Sequence, residues 1–442
     1  MSGYLLGLDV GSSSVKASLL SVDEGRRIDA ATCPKHEMKI NAPRSGWAEQ
    51  EPEMWWRYVG EAIEELRLRH KKEMDAVKAV GISYQMHGLV PVEKSGEVLR
   101  PSIIWCDSRA VSYGNAAFEA MGAKKVLSSL LNSPGNFTAA KLAWVKENEP
   151  EIYNRIWKIM LPGDYIAYRL TGEVRTTYSG LSEGIFWDFT KNQVSTELLE
   201  QFGFDPGLLP EAHESFAPSG TIESRVASEI GLPAGIPVSY RAGDQPNNAF
   251  SLRVLEPGEL AATAGTSGVV YGIVDKPVYE EKSRVNTFVH VNHRTGGGSD
   301  NRFGVLLNIN GTGILNKWTK QIAADPVEGD PLDYGKVNEI ASQSPIGSKG
   351  LVFLPFGNGA ERILENSDVN ASLHNLNFNI HERPELFRAA QEGIVFALNF
   401  GIEIMRDMGL SVQTVRAGDA NMFLSPIFRE AFATTTGRSE EH

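Results

Sequence analysis

The chain is poor in cysteine, in long apolar runs and in positive charge. Its 442 residues contain only Cys33 and Cys106, far apart and in no C-x-x-C pair. That excludes a disulfide framework or a cysteine-built zinc site as an organising element, and it predicts a reducing compartment. No apolar stretch approaches membrane-spanning length. The start, Met1-Ser2-Gly3-Tyr4-Leu5-Leu6-Gly7-Leu8-Asp9, has no basic residue, and an acid interrupts its apolar run. This predicts no secretory leader and a soluble, cytoplasmic protein. A formal net charge of −12 leaves no broad cationic face for nucleic acid. Two familiar glycine-rich signatures are also absent, G-x-x-x-x-G-K-[ST] and a G-x-G-x-x-G paired with H-R-D. A phosphorylated ligand is not thereby excluded, because backbone N–H groups and one metal ion can hold phosphate on an acidic protein.

What is present is ordinary globular composition, 42% hydrophobic and 22% charged, over a length that suits two buried domains. Tyr4–Val10 and Val15–Leu20 flank the turn Gly11-Ser12-Ser13-Ser14 and read as an antiparallel hairpin. Glu51–Leu68 carries Trp55, Trp56, Val59, Ile63 and Leu66 at helical spacing behind a proline. Val77–Ser83 is a buried-strand pattern, and helix and strand patterns alternate after it, so the class is α/β. A second hairpin pattern, Glu259–Ala264 and Val269–Val274 around Gly265-Thr266-Ser267-Gly268, resembles the first. The recurrence predicts two related halves joined near Ser251–Gly258. Glu385–Met408 reads as a long helix closing at Gly409, Val412–Ala417 as a strand, and the region around Pro426–Ala433 as a further helix. The glycine run within Arg294–Asn301 reads as a mobile surface loop.

Four places carry chemistry-bearing residues. In the first hairpin, Gly11, Ser12 and Ser13 allow backbone N–H groups to converge on an anion, and Asp9 stands ready for Mg²⁺. Gly265, Thr266 and Ser267 repeat that turn. Either hairpin alone reads as an ordinary turn; together with Asp9 and Asp244 they point to phosphate. Asp244 follows the strand Pro237–Tyr240 and opens a helix, so it serves equally as an N-cap or as a general base. Gln85-Met86-His87-Gly88 closes another strand and suits hydrogen bonding to a polyhydroxylated ligand, although a lone histidine is more often structural. Trp105-Cys106-Asp107-Ser108-Arg109 reads as an aromatic wall with a carboxylate and a guanidinium, or as a salt-bridged loop.

Together these segments resemble the FGGY family of carbohydrate kinases, and its xylulokinases in particular, from Leu5 to about Gly437. The matching segments are Leu8-Asp9-Val10-Gly11-Ser12-Ser13, Gln85-Met86-His87-Gly88, Trp105–Arg109, Leu161-Pro162-x-Asp164-Tyr165, Leu170-Thr171-Gly172-Glu173, Gly243-Asp244, Gly265–Gly268, Leu354-Pro355-Phe356 and Gln391-Glu392-Gly393. The resemblance implies two actin-like ATPase (ribonuclease H-like) domains flanking a cleft, residues 1–252 binding sugar and 253–442 binding ATP. It implies Asp244 as the base and Asp9 as the Mg²⁺ ligand, with Gln85, Met86, His87 and Asp107 around a ketose such as D-xylulose. Gly11, Ser12, Ser13, Lys16, Gly265, Thr266, Ser267 and Gly418 would lie by the ATP. A homodimer is the default for such enzymes, though no residue marks an interface.

Two departures stand out. Ala417-Gly418-Asp419-Ala420 replaces a glycine run and puts a carboxylate near the expected nucleotide. After Thr434-Thr435-Thr436-Gly437 the chain reads Arg438-Ser439-Glu440-Glu441-His442, where the family continues into another strand and helix. The second domain is therefore expected to be incomplete, less stable and weakly active. Alternatives are a kinase for ribulose, gluconate or glycerol, and a sugar-binding protein with impaired transfer.

Overall fold

The computed structural model describes residues 3–295, 300–323 and 332–437. Residues 296–299 of the glycine-run loop and the residues after Gly437 lie outside these. Two compact units form, Met1–Asn247 with Phe288–Asn301, and Asn248–Thr287 with Arg302–His442. The observed division thus falls five residues before the expected 252/253 boundary, and a segment of the later sequence belongs with the first unit.

The first unit is built on five strands, β1 (Tyr4–Val10), β2 (Val15–Ser21), β3 (Arg26–Cys33), β4 (Val77–Tyr84) and β5 (Val238–Gly243), in the order β5-β4-β1-β2-β3. Alternation puts Leu6, Leu8 and Val10 of β1 and Val15, Ala17 and Leu19 of β2 into the core. Helix α1 (Pro52–Arg69) starts at a proline and buries Trp55, Trp56, Val59, Ile63 and Leu66 against β2 and β3. Full burial of Trp55 makes its loss expensive, about 3–5 kcal/mol for truncation to alanine. Among the helices that follow are α2 (Thr138–Asn148), α3 (Pro162–Thr171), α4 (Tyr178–Glu183) and α5 (Asp244–Ser251).

Parallel register determines where this unit's chemistry lies. Val10 stands opposite Tyr84, and Tyr84 opposite Gly243, so β1, β4 and β5 end in one row. The next residues along the chain are Gly11, Gln85 and Asp244. A sheet edge formed by parallel strand C-termini is where α/β proteins place ligands.

A second sheet repeats the plan with β6 (Glu259–Ala264), β7 (Gly268–Val274), β8 (Asn286–Val289), β9 (Phe303–Ile309) and β10 (Thr414–Ala417), ordered β8-β9-β7-β6-β10; it belongs to the second unit except for Phe288 and Val289, which fall to the first. The helices of the second unit include α6 (Gly313–Ile322), α7 (Arg383–Asp407) and α8 (Pro426–Thr436). Helix α7 buries Phe387, Ile394, Leu398 and Ile402 as its periodicity predicts, and Gly409 follows it with φ 92°. Both hairpins are thus present, each strand within one residue of its expected bounds. Among the described residues no helix is long and apolar enough to cross a membrane.

Candidate active site

In the first unit the hairpin turn is closed by Gly11 N–H donating to Ser14 O at 3.1 Å. Asp9 and Lys16 pair across β1 and β2 and form an ion pair at 3.3 Å with both side chains partly in solvent. Ser12 is fixed from two sides: its carbonyl accepts from Gln50 Nε2 at 2.7 Å, and its hydroxyl accepts from Trp105 Nε1 at 3.3 Å. Ser13 is exposed at the tip.

Asp244 begins α5 directly after β5. It keeps some exposed surface, yet loss of water around it raises its carboxyl to about 7, with the charge of Asp9 as the next cause. Beneath it, Gly243 has no room for a side chain: a Cβ there would lie 2.5 Å from Glu183 Oε2 and 2.5 Å from Met86 Cγ. Glu183 is itself fully buried, and desolvation, reinforced by Asp164 and Asp244, pushes its carboxyl well above the usual range.

The Gln85-Met86-His87-Gly88 segment divides its roles. Gln85 and Met86 are buried, at 2% and 4% exposure, so His87 is the side chain of the three with appreciable surface. Gln85 Nε2 donates to Gln50 Oε1 at 3.1 Å, which makes it an anchor of the first turn. His87 has φ 61°, and Gly88 lies so close to Pro162 that a Cβ would approach its ring at 2.5 Å. His87 Nδ1 donates to the Glu183 carbonyl at 2.7 Å, so in the neutral ring Nε2 is an acceptor. Phe137 meets the His87 ring edge-on at 4.8 Å, and Phe288 lies 5.7 Å away.

Asp107 is placed differently from the sugar contact expected of it. Its carboxylate is fully buried and accepts from Ala48 N–H at 2.5 Å and from Arg109 at 2.7–3.0 Å. Arg109 continues to Glu49 at 2.7 Å and stacks over Trp47 at 3.7 Å. The salt-bridged-loop reading describes this segment. The Leu161–Tyr165 motif has a structural basis too: Asp164 caps α3 through Leu161 N–H and pairs with buried Arg241 of β5 at 2.9 Å.

In the second unit a cavity of about 630 Å³ opens at the corresponding strand ends, lined in part by Gly265, Thr266, Gly313, Asn338, Asn421 and Ser425. Gly313 N–H donates to Gly265 O at 2.9 Å, and a Cβ on Gly313 would collide with that carbonyl. Gln391 explains the Gln391-Glu392-Gly393 motif. Its amide donates to Asn338 Oδ1 at 3.0 Å and accepts from Ser425 Oγ at 2.7 Å, holding two of the lining residues. Gly418 follows β10, but from that turn it is Asn421 that lines the cavity. Asp419 is 81% exposed and lies 3.8 Å from Arg429, so it turns away and pairs loosely.

Sequence reasoning missed Phe137, Lys141, Glu183, Phe288 and the turn Asn310–Gly313. The last had a local signal, two glycines between a strand and a helix.

The fold is that of an actin-like α/β enzyme of two domains, each with a candidate site at its strand ends. The model of the FGGY family of carbohydrate kinases, N-terminal domain, matches residues 4–251, more than half the chain. The chain belongs to that family. It is 29% identical over an alignment 446 positions long to a xylulose kinase of Staphylococcus xylosus, covering 99% of this chain and 88% of that protein. A crystal structure of a xyloylose kinase from Brucella ovis superposes with a TM-score of 0.86 at 28% identity, covering 99% of this chain and 87% of the other. A gluconate kinase from Lactobacillus acidophilus gives a TM-score of 0.85 at 22% identity over 99% and 85%, a likeness of fold alone. These alignments, and a second sheet of five strands like the first, lend no support to the expectation of an incomplete second domain.

Proposed function

We propose that this chain transfers the terminal phosphoryl group of ATP to a ketose, D-xylulose first among them. The observation that carries the proposal is Asp244: a carboxyl raised to about 7 by burial and by the charge of Asp9, directly after Gly243, which stands in register with Tyr84. A base poised near neutral pH accepts a hydroxyl proton efficiently as the alcohol attacks phosphorus. His87, flanked by Phe137 and Phe288, would orient the sugar, and the anchors Gln85 and Gln50 would hold the pocket rigid. Thr266, Gly265 and Gly313 would receive the nucleotide, whose size suits a cavity of about 630 Å³.

Among the described residues no group of three or more His, Cys, Asp or Glu could cage a metal. The half-exposed Asp9 carboxylate suits instead a Mg²⁺ that brings phosphate oxygens and water as its other ligands. Such an ion would neutralise phosphate charge during transfer. Lys16, paired with Asp9, would share that role. We place the protein in the cytoplasm, in keeping with free thiols at Cys33 and Cys106.

The test is a side-by-side assay of D-xylulose, D-ribulose, gluconate and glycerol, with the phosphorylated position identified by NMR. The proposal expects D-xylulose to lead in kcat/KM by at least about tenfold, the scale at which pocket contacts separate related substrates. Another leading substrate would reassign the specificity. Sugar-dependent thermal stabilisation without turnover would instead make this a sugar-binding protein.

A further inference from the structure

Lys141 sits on α2, where every residue from Thr138 to Val145 is buried, and it is itself 0% exposed. Burial pushes its ammonium down to about 7 against the pull of Asp107, its strongest opposing charge. Glu183 also attracts it and Arg109 repels it, while Asp107 is already satisfied by Arg109 and Ala48 N–H. So expensive a side chain would ordinarily be answered by a carboxylate at contact distance. Here Nζ donates to a main-chain carbonyl, that of His87, at 2.7 Å.

That carbonyl belongs to a residue in the left-handed region, φ 61°, which a histidine keeps only when its surroundings hold it there. Three contacts do so from different directions: Lys141 on the carbonyl, the Glu183 carbonyl on Nδ1–H, and Phe137 on the ring edge. On the following side Pro162 leaves no room for a side chain at Gly88. An amine is well suited to this hold. As an ammonium it makes a charge-assisted bond, and as a neutral amine it still donates.

We propose that Lys141 is a positioning residue for the sugar: its buried amine locks His87 in the left-handed conformation and thereby sets the direction in which the imidazole meets a substrate hydroxyl. This rests on the sugar-kinase reading above. Lys141 touches no substrate and acts through His87.

The experiment compares Lys141→Met, which keeps the apolar stem and removes the donor, with wild type by steady-state kinetics and by crystal structure. Expected are a rise in KM for sugar of at least about tenfold with KM for ATP within about twofold, and a His87 φ that leaves the left-handed region. In a His87→Gly background, where the conformation needs no lock, Lys141→Met should cost less than about threefold. Should Lys141→Met not fold, Lys141→Leu, which likewise has no donor, replaces it with the same expected split. Unchanged His87 geometry, an equal loss in the His87→Gly background, or an unchanged KM for sugar overturns the proposal. If wild type phosphorylates no sugar, the functional reading fails, and the His87 conformation in the variant structure alone decides the inference.

Discussion

The side-chain amide of Gln85 donates to that of Gln50 at 3.1 Å, and Gln50 donates onward to the carbonyl of Ser12 at 2.7 Å. The strand end that carries Met86 and His87 is therefore tied through one buried side chain to the first hairpin turn. Trp55 Nε1 completes the arrangement by donating to Gln50 Oε1 at 3.0 Å. With β1 and β4 already in register, this link turns two neighbouring strand ends into one rigid rim.

Gln50→Leu keeps volume but removes these three hydrogen bonds and a longer fourth one, to the Lys39 carbonyl at 3.5 Å. At about 1 kcal/mol each it should lower Tm by roughly 5–10 °C, and it should lower kcat/KM for sugar by more than about tenfold. Calorimetry and steady-state kinetics check both. A variant as stable and active as wild type would show that the link holds nothing.

Asp244 makes a stability prediction of definite sign. Its folded pKa of about 7 lies above the unfolded value of about 3.9, so the folded state holds the extra proton between those values. Stability from this group is fully present below about pH 4 and is lost as pH rises through about 7. Asp244→Asn should therefore melt higher than wild type at pH 8, by roughly 2–6 °C, with the gap closing towards pH 4.

The same carboxyl predicts an acid limb in kcat/KM near pH 7, activity rising as the proton leaves. Since the Asp9 charge is the second cause of the shift, a cation bound there should move the limb to lower pH. Profiles of kcat/KM at low and saturating Mg²⁺ measure that displacement.

Much of this site was legible in the sequence because it lies where a strand pattern ends in a turn. Asp9, Gly11, Asp244, Gly265 and Thr266 all announce themselves locally, by a small-residue cluster or an acid beyond an apolar run. Register then brings the first three together, a step that the α/β class already implies. Lys141 and Glu183 give no such sign, since each matters through a residue about 54 or 60 positions away, His87 and Gly243–Asp244. Phe288 was missed for a related reason: its segment belongs to the first unit although its neighbours in sequence belong to the second. The one available hint for Lys141 was its setting, an Ala-Ala-Lys-Leu-Ala-Trp-Val run that is apolar on every side. Asp107 misled because an acid beside an exposed tryptophan reads the same whether it faces ligand or Arg109.

In the second unit, Gly313→Ala would drive a methyl group into the Gly265 carbonyl and displace the turn that borders the cavity. Affinity for a fluorescent ATP analogue should fall by more than about tenfold while sugar affinity stays within about twofold, both read by titration.

Asp419→Ala, by contrast, should change KM for ATP by less than about twofold. Its carboxylate is 81% exposed and its contact with Arg429, at 3.8 Å, is of the weak surface kind. A marked gain in ATP affinity would mean that the charge does reach the nucleotide.

The most direct test of the central claim is ADP release from Mg-ATP on adding D-xylulose, measured for wild type and Asp244→Asn. Sugar-dependent release by wild type, with kcat lower by at least about 100-fold in a variant that remains folded, is the result predicted for a general base. No sugar-dependent release from wild type, or undiminished release from Asp244→Asn, would contradict it.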